Sequence, residues 1–496
     1  MKILLLEHPR TISPERCNDI ANTPLSSCML SGYTAGMLRS AGHYVEIVEG
    51  FMDRLYYYEI ESIVRAFKPD ILGVHMVYHW QDDVALYNFL QMVKDQGLAK
   101  YITAYGFYPT IAFEDILLKC TAIDSIVVGE PELTFTELAA GGGANPSLPG
   151  LALRNGAGGI SCERRPLIED LDSLPLPVRT EAAFRLPEVN IQGGRGCYGG
   201  CTFCYINPFY GQGSRWRGRS PESIVAEIDT IMSDHGVTDF YFTDPNFFGP
   251  GEQGQERARR LASLLKPRNI RFGIEGRVND IHDETIAALV EAGLRNILVG
   301  LESGRDDSLR RMNKRTTVAQ NEEAIKILRR HRIEPNVGFI MFEPDSSLQD
   351  VRVNFEFLKR NNLLHNLPVT ANVLYHHQII LKGTRAYRDL KEAGRLEIRD
   401  DTSYEGATTF TEPKMAQLAG IMRQVTNLLF ARMSGIWSGK VEEPRDAKVK
   451  YNQINRLLVD IFEDSLRTLE EGGQFTEEQI ALVGNSAGYK INEVLQ

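Results

Sequence analysis

The chain has 496 residues, 43% of them hydrophobic and 24% charged, with a formal net charge of −10. That length exceeds what one hydrophobic core supports, so two or three domains are expected. The acidic balance argues against nucleic acid as the main partner, and no apolar run of about 18 residues offers a membrane span. Seven cysteines, three of them in one loop, suit a reducing cytoplasm rather than a disulfide framework. The opening Met1-Lys2-Ile3-Leu4-Leu5-Leu6-Glu7 is too short an apolar run for a signal peptide and reads as a buried strand.

Short apolar strands at residues 3–6, 45–48, 71–74, 101–106 and 125–129 alternate with helical periods at 24–38, 58–67 and 84–94. The alternation predicts an α/β domain over residues 1–140, a parallel sheet with helices on both faces. Ligands of such sheets bind at the C-terminal strand ends. The loops at 7–22, 75–80, 106–110 and 129–134 are therefore the candidates. Residues 141–187 read as a linker, stiffened by Leu174-Pro175-Leu176-Pro177. A second series follows over residues 188–395. Strands at 189–191, 239–242, 271–274, 296–299, 337–341 and 372–375 are separated by helices. Six βα units predict a barrel or partial barrel whose polar strand ends share one rim. From 396 to 496 the period changes, and 415–433 and 451–469 form amphipathic helices, an appendage that could cap the barrel or bind a partner.

The first strand of the second series runs into Gly193-Gly194-Arg195-Gly196-Cys197-Tyr198-Gly199-Gly200-Cys201-Thr202-Phe203-Cys204. Thiolates are soft ligands suited to zinc or iron–sulfur clusters. Structural zinc takes four protein ligands, and no fourth follows nearby. Three cysteines can instead hold three irons of a [4Fe-4S] cluster and leave the fourth open to a small molecule. A zinc site with a remote fourth ligand and three free thiols are the alternatives.

With Phe203 just ahead of Cys204, this C-x3-C-x2-C loop resembles that of the radical S-adenosylmethionine enzymes. Further motifs extend the likeness to members with an N-terminal cobalamin-binding domain (class B methyltransferase-like). Gly129-Glu130-Pro131-Glu132-Leu133-Thr134 matches their G-E-x-E-x-T turn. Pro24-Leu25, Gly32-Tyr33 and Gly42-His43 match the first helix of that domain. The resemblance implies a Rossmann-like cobalamin-binding domain, a partial (β/α)6 radical S-adenosylmethionine barrel and a helical C-terminal appendage. It implies that Cys197, Cys201 and Cys204 hold a [4Fe-4S] cluster. It places Phe203, Asp244, Asn246, Glu275, Arg277, Glu302, Ser303 and Lys314 around S-adenosylmethionine. Within that set, Asp244-Pro245-Asn246-Phe247 would meet the methionine amino group, Glu302 the ribose and Lys314 the carboxylate. His75, Tyr78, Gly106, Gly129 and Glu130 would meet cobalamin.

There are departures. The D-x-H-x-x-G motif that supplies a histidine to cobalt in other cobalamin proteins is absent. The common Gly-Gly-x-His stands as Ala104-Tyr105-Gly106-Phe107, and the common Gly-Phe-Pro-Gly-Glu as Met341-Phe342-Glu343-Pro344-Asp345. The extra carboxylate is expected in a salt bridge. Tyr78, His376 and His377 are candidate catalytic residues. One histidine of the pair should enter the barrel mouth, because strand side chains alternate.

The implied activity is methylation of an unactivated carbon, or of a phosphinate phosphorus, in a small molecule, by family analogy a natural product. An external one-electron reductant of flavodoxin or ferredoxin type would drive it. The rival expectations are a cyclase or rearrangement enzyme with the same cofactors, a domain used only as scaffold, and a non-catalytic iron–sulfur or zinc protein.

Overall fold

The computed structural model describes residues 1–9, 29–77, 83–143, 148–155, 159–211, 215–398, 405–437 and 441–495. Tyr78, Cys17, Cys28 and Pro24-Leu25 lie outside them. Strands β1 (Lys2–Glu7), β2 (Tyr44–Glu49), β3 (Ile71–His75), β4 (Tyr101–Tyr105) and β5 (Ser125–Val127) lie in the order β2-β1-β3-β4-β5, all parallel. β3 is buried along its whole length, as expected of a parallel strand covered by helices on both faces. The strand order reverses between β1 and β3, where sheets of this type take their ligands.

The N-terminal sheet is larger than its apolar runs suggested. β6 (Leu151–Arg154) and β7 (Ile160–Ser161), inside the segment expected to be linker, add two antiparallel strands beyond β5. Leu151, Ala152 and Leu153 are buried there. Two expected loops are helix starts: Phe107–Lys119 follows Gly106 directly, and Pro131–Ala140 carries Pro131 in its first turn.

The second sheet contains β8 (Val189–Ile191). The short antiparallel ribbon of β9 (Gly194–Arg195) and β10 (Arg217–Gly218) then brackets the cysteine loop. β11 (Asp239–Phe242), β12 (Arg271–Arg277), β13 (Leu294–Glu302) and β14 (Asn336–Phe339) complete a parallel sheet in the order β14-β13-β12-β11-β8. Its outer helices start and stop on local signals. The Ser220 side chain accepts the Ser223 N–H at the start of Pro221–His235, and Gly236 closes that helix at φ 68. Thr317 and Ser347 cap the later helices.

The sixth strand differs from expectation. Residues 372–375 belong to a helix, Leu367–Tyr375, and only a parallel bridge between Phe342 and His377 stands in the strand's place. Asn366 caps this helix and Pro368 sits in its first turn. A four-residue apolar run is compatible with either structure, and the cap decides it.

Among the described residues the tail carries two short strands, Glu397–Ile398 and Glu405–Ala407, and then three helices, Pro413–Trp437, Ala447–Glu470 and Glu477–Leu495. Leu418, Met422, Leu458 and Phe462 join the barrel's own hydrophobic core, and the rings of Phe355 and Phe462 lie 4.8 Å apart. Among the described residues no helix is long and apolar enough to cross a membrane.

Candidate active site at the barrel mouth

The C-terminal strand ends of the second sheet and the cysteine loop enclose a cavity of about 220 Å³. Cys197, Cys201 and Cys204 form one wall, with Phe203 between them. The loop can approach β12 because Gly199 lacks a side chain: a Cβ there would stand 2.3 Å from Arg277 Nη1. The Gly199 N–H donates to Cys197 Sγ at 3.3 Å and Arg277 Nη1 to Cys201 Sγ at 3.5 Å. Burial pushes the Cys197 and Cys204 thiols up, with the Arg277 and Lys314 charges opposing it at Cys197. Such a site needs further positive charge to hold three thiolates. Bound metal would supply that charge. Three thiols lining one cavity, with the Gly199 N–H and the Arg277 guanidinium donating to two of the sulfurs, fit a cysteine-held iron–sulfur cluster.

Glu275, Arg277, Glu302 and Lys314 also line the cavity. At the end of β13 the register with β14 shifts between Gly300 and Glu302, and Glu302 adopts φ 62. Lys314 Nζ donates to Glu302 Oε1 at 2.7 Å. Burial alone would lower the Lys314 pKa, but Glu302 and the Cys201 sulfur raise it overall. Tyr241 donates to Glu275 Oε1 at 3.0 Å, while Glu275 Oε2 is buried without a partner. Burial, with a smaller push from Asp244, raises the Glu275 carboxyl to about 8. Leu298, Val337, Phe339 and Ile340 make the remaining lining largely apolar.

Three of the expected S-adenosylmethionine residues stand behind this surface instead. Asp244 accepts the Gly193 N–H at 2.7 Å and so braces the start of the cysteine loop; it is Pro245 that lines the cavity. Asn246 bridges Asp280 and the Gly249 N–H. Ser303 donates to Asn354 at 2.8 Å. Of the two histidines, His376 lines the cavity beside Asn372, one helical turn earlier. His377 packs among Phe342, Tyr375 and Phe410. The extra carboxylate, Glu343, is paired with Arg311 through two contacts of 2.8 Å.

The expected cobalamin residues are differently engaged. His75 and Glu7, opposite each other at the point where strand order reverses, meet at 2.8 Å with both side chains 2% exposed. Glu7 therefore fixes the His75 ring through its Nδ1. Gly106, at φ 115, makes room for that ring, since a Cβ would lie 2.6 Å from His75 Cδ2. The Gly129 N–H donates to Thr110 Oγ1 at 3.0 Å. Glu130 meets Arg195 and Arg217 of the β9–β10 ribbon at 3.0 Å. Burial pushes its pKa up, but the two guanidiniums pull it below its ordinary value. Tyr241, Arg195 and Asn372 were not singled out by the sequence. Tyr241 had a usable signal in the in–out alternation of β11; the other two had none.

Fold and cavity define an α/β protein with two parallel sheets, whose second sheet opens on a cavity walled by three cysteines. Residues 191–358 match the radical SAM superfamily. An uncharacterized methyltransferase of Pyrococcus horikoshii, PH0819, is 27% identical over 371 residues, covering 73% of this chain and 78% of that protein. An anaerobic magnesium-protoporphyrin IX monomethyl ester cyclase of Synechocystis is 30% identical over 349 residues, 67% of each chain. The fold is shared with the cobalamin-dependent S-adenosylmethionine radical enzyme OxsB, solved with aqua-cobalamin and S-adenosylmethionine bound. That match has a TM-score of 0.81 and 18% identity and covers 100% of this chain and 79% of OxsB. The chain belongs to the radical SAM superfamily.

Proposed function

We propose that the protein is a cobalamin-dependent radical S-adenosylmethionine methyltransferase. Its substrate is a small molecule methylated at an unactivated carbon or a phosphinate phosphorus. One observation carries this reading. The cysteine loop that walls the cavity also packs against the N-terminal core, beside the strand-end turns where sheets of this type take a ligand. A cofactor over that sheet and the chemistry at the thiols would then face each other. When bound, the cluster and S-adenosylmethionine supply a radical that removes hydrogen, and cobalamin supplies the methyl group.

The chain's own residues bind, orient and exclude water. Lys314, buried and cationic, pairs with the methionine carboxylate. Glu302 accepts from the ribose hydroxyls, and the unpartnered Glu275 oxygen meets a polar ligand group. Arg277 and the Gly199 N–H hold negative charge on the sulfurs. Leu298, Val337, Phe339 and Ile340 keep the reacting atoms dry. We further propose a cytoplasmic setting and a flavodoxin or ferredoxin type reductant.

The test is the product's mass after reaction of the reduced, cobalamin-loaded enzyme with candidate precursors. A gain of one methyl group supports transfer. The cyclase name of the Synechocystis relative favours a second reading, ring closure with the same cofactors. It predicts a product that gains no methyl group and is unchanged in mass or poorer in hydrogen. Absence of the cobalamin chromophore after reconstitution would overturn both.

A further inference from the structure

We infer that the last two strand-end turns of the N-terminal sheet are positioning elements for the cysteine loop, gripping it at both ends. This rests on the reading that the three cysteines hold an iron–sulfur cluster.

Ahead of the loop stands Arg195, two residues before Cys197, with a side chain 1% exposed. Its Nη2 donates to Glu132 Oε1 at 2.6 Å and its Nη1 to Glu130 Oε1 at 3.0 Å. Its guanidinium lies 5.0 Å from the centre of the Tyr33 ring. Arg217, the register partner of Arg195 on β10, donates to both oxygens of Glu130 at 3.0 Å. Both strands of the ribbon that brackets the loop are thus tied to one turn after β5. Beyond the loop stands Tyr205, next to Cys204. The Phe107 ring, in the turn after β4, meets Tyr205 edge-on at 5.1 Å and Phe209 at 4.2 Å. Tyr205 and Phe209 belong to the hydrophobic core of the N-terminal domain, and Cys197 and Cys204 pack against that core rather than the barrel's.

A buried guanidinium persists only where carboxylates answer it, and its planar fork fixes their geometry. Glu132 sits in the first turn of Pro131–Ala140, where the helix end favours a carboxylate. The orientation of Arg195, and through it of Cys197, is therefore set by a helix of the other domain. Glu130 and Glu132 act here as positioning residues for the thiols and not as cofactor contacts.

The test uses the full chain, reconstituted anaerobically with iron and sulfide. Arg195→Lys and Glu132→Gln are compared with Arg154→Lys. Arg154 donates to the Leu117, Cys120 and Ile123 carbonyls and so weakens the same domain without touching the loop. The readouts are iron per chain, the electron paramagnetic resonance spectrum of the reduced protein with and without S-adenosylmethionine, and 5′-deoxyadenosine formation. Both loop variants should shift the spectrum and lower 5′-deoxyadenosine formation by about ten- to a hundredfold. Arg154→Lys should keep the wild-type spectrum at a comparable loss in melting temperature. If either loop variant fails to fold, Phe107→Leu relaxes the opposite grip and should shift the spectrum in its place. Folded variants with wild-type spectra and iron content overturn the inference. A wild-type chain that takes up no iron overturns instead the reading on which it rests.

Discussion

The Tyr241 hydroxyl donates to Glu275 Oε1, and the other oxygen of that carboxylate faces the interior without a partner. A single donor does not offset burial, so the folded protein prefers the neutral acid, with its pKa raised to about 8. Between the ordinary carboxylate value and about 8 the folded state binds more protons than the unfolded one. Stability from this group therefore falls as pH rises through that window. Glu275→Gln keeps an acceptor for Tyr241 and removes the titration. Denaturant unfolding of the cofactor-free protein at pH 5 and pH 8.5 should show a smaller pH-dependent loss in the variant. Parallel losses in the two proteins would refute this assignment.

Lys314 and Glu302 test whether the pair serves stability or ligand binding. Lys314→Met leaves a buried carboxylate alone and should destabilise the chain by about 3–5 kcal/mol. Adding Glu302→Gln removes the uncompensated charge and should restore most of that stability. It should not restore S-adenosylmethionine affinity, read by equilibrium dialysis. A double variant that binds as well as wild type would leave the pair a purely structural role.

The adjacent histidines should separate cleanly. His376→Ala, in the cavity wall, is expected to lower turnover with little change in unfolding. His377 has its Nε2 buried without a partner, and burial lowers its pKa to about 3. The unfolded state then takes up a proton that the folded state refuses, so stability is lost as pH falls below about 6.5. His377→Phe should reduce this acid sensitivity while preserving turnover. The reverse pattern, with turnover lost in His377→Phe and kept in His376→Ala, would contradict the placement of the two rings.

Cys201→Ala should abolish iron retention and 5′-deoxyadenosine formation together. Thermal unfolding of the metal-free chain should move by only about 1 kcal/mol, because a small side chain is replaced by a slightly smaller one. A wild-type chain that folds only with metal bound would point to a structural metal site instead.

The parallel sheets were legible because each strand is an apolar run ending in polar residues, and the cysteine spacing was legible because it is local. Glu302 and Lys314 came from motif resemblance, and their contact follows from a register shift that spacing does not reveal. The helix at Leu367–Tyr375 was misread because Val373-Leu374-Tyr375 suits either period, and its cap lies upstream at Asn366. β6 and β7 are too short to show alternation. Arg195 and Glu132 are 63 residues apart in sequence, and no local signal joins them. Their partnership arises from how one sheet's turn meets the other sheet's ribbon.

The hydrophobic core common to the barrel and the C-terminal helices has a consequence for biosynthesis. Phe355, on the barrel's last outer helix, is covered by Phe462, in the penultimate helix of the chain. While the nascent chain emerges, the barrel's flank stays wet until that helix has been made. Domains generally fold as units as they leave the ribosome. This barrel and tail share one core and form one such unit, so the barrel's flank closes only when the Ala447–Glu470 helix docks.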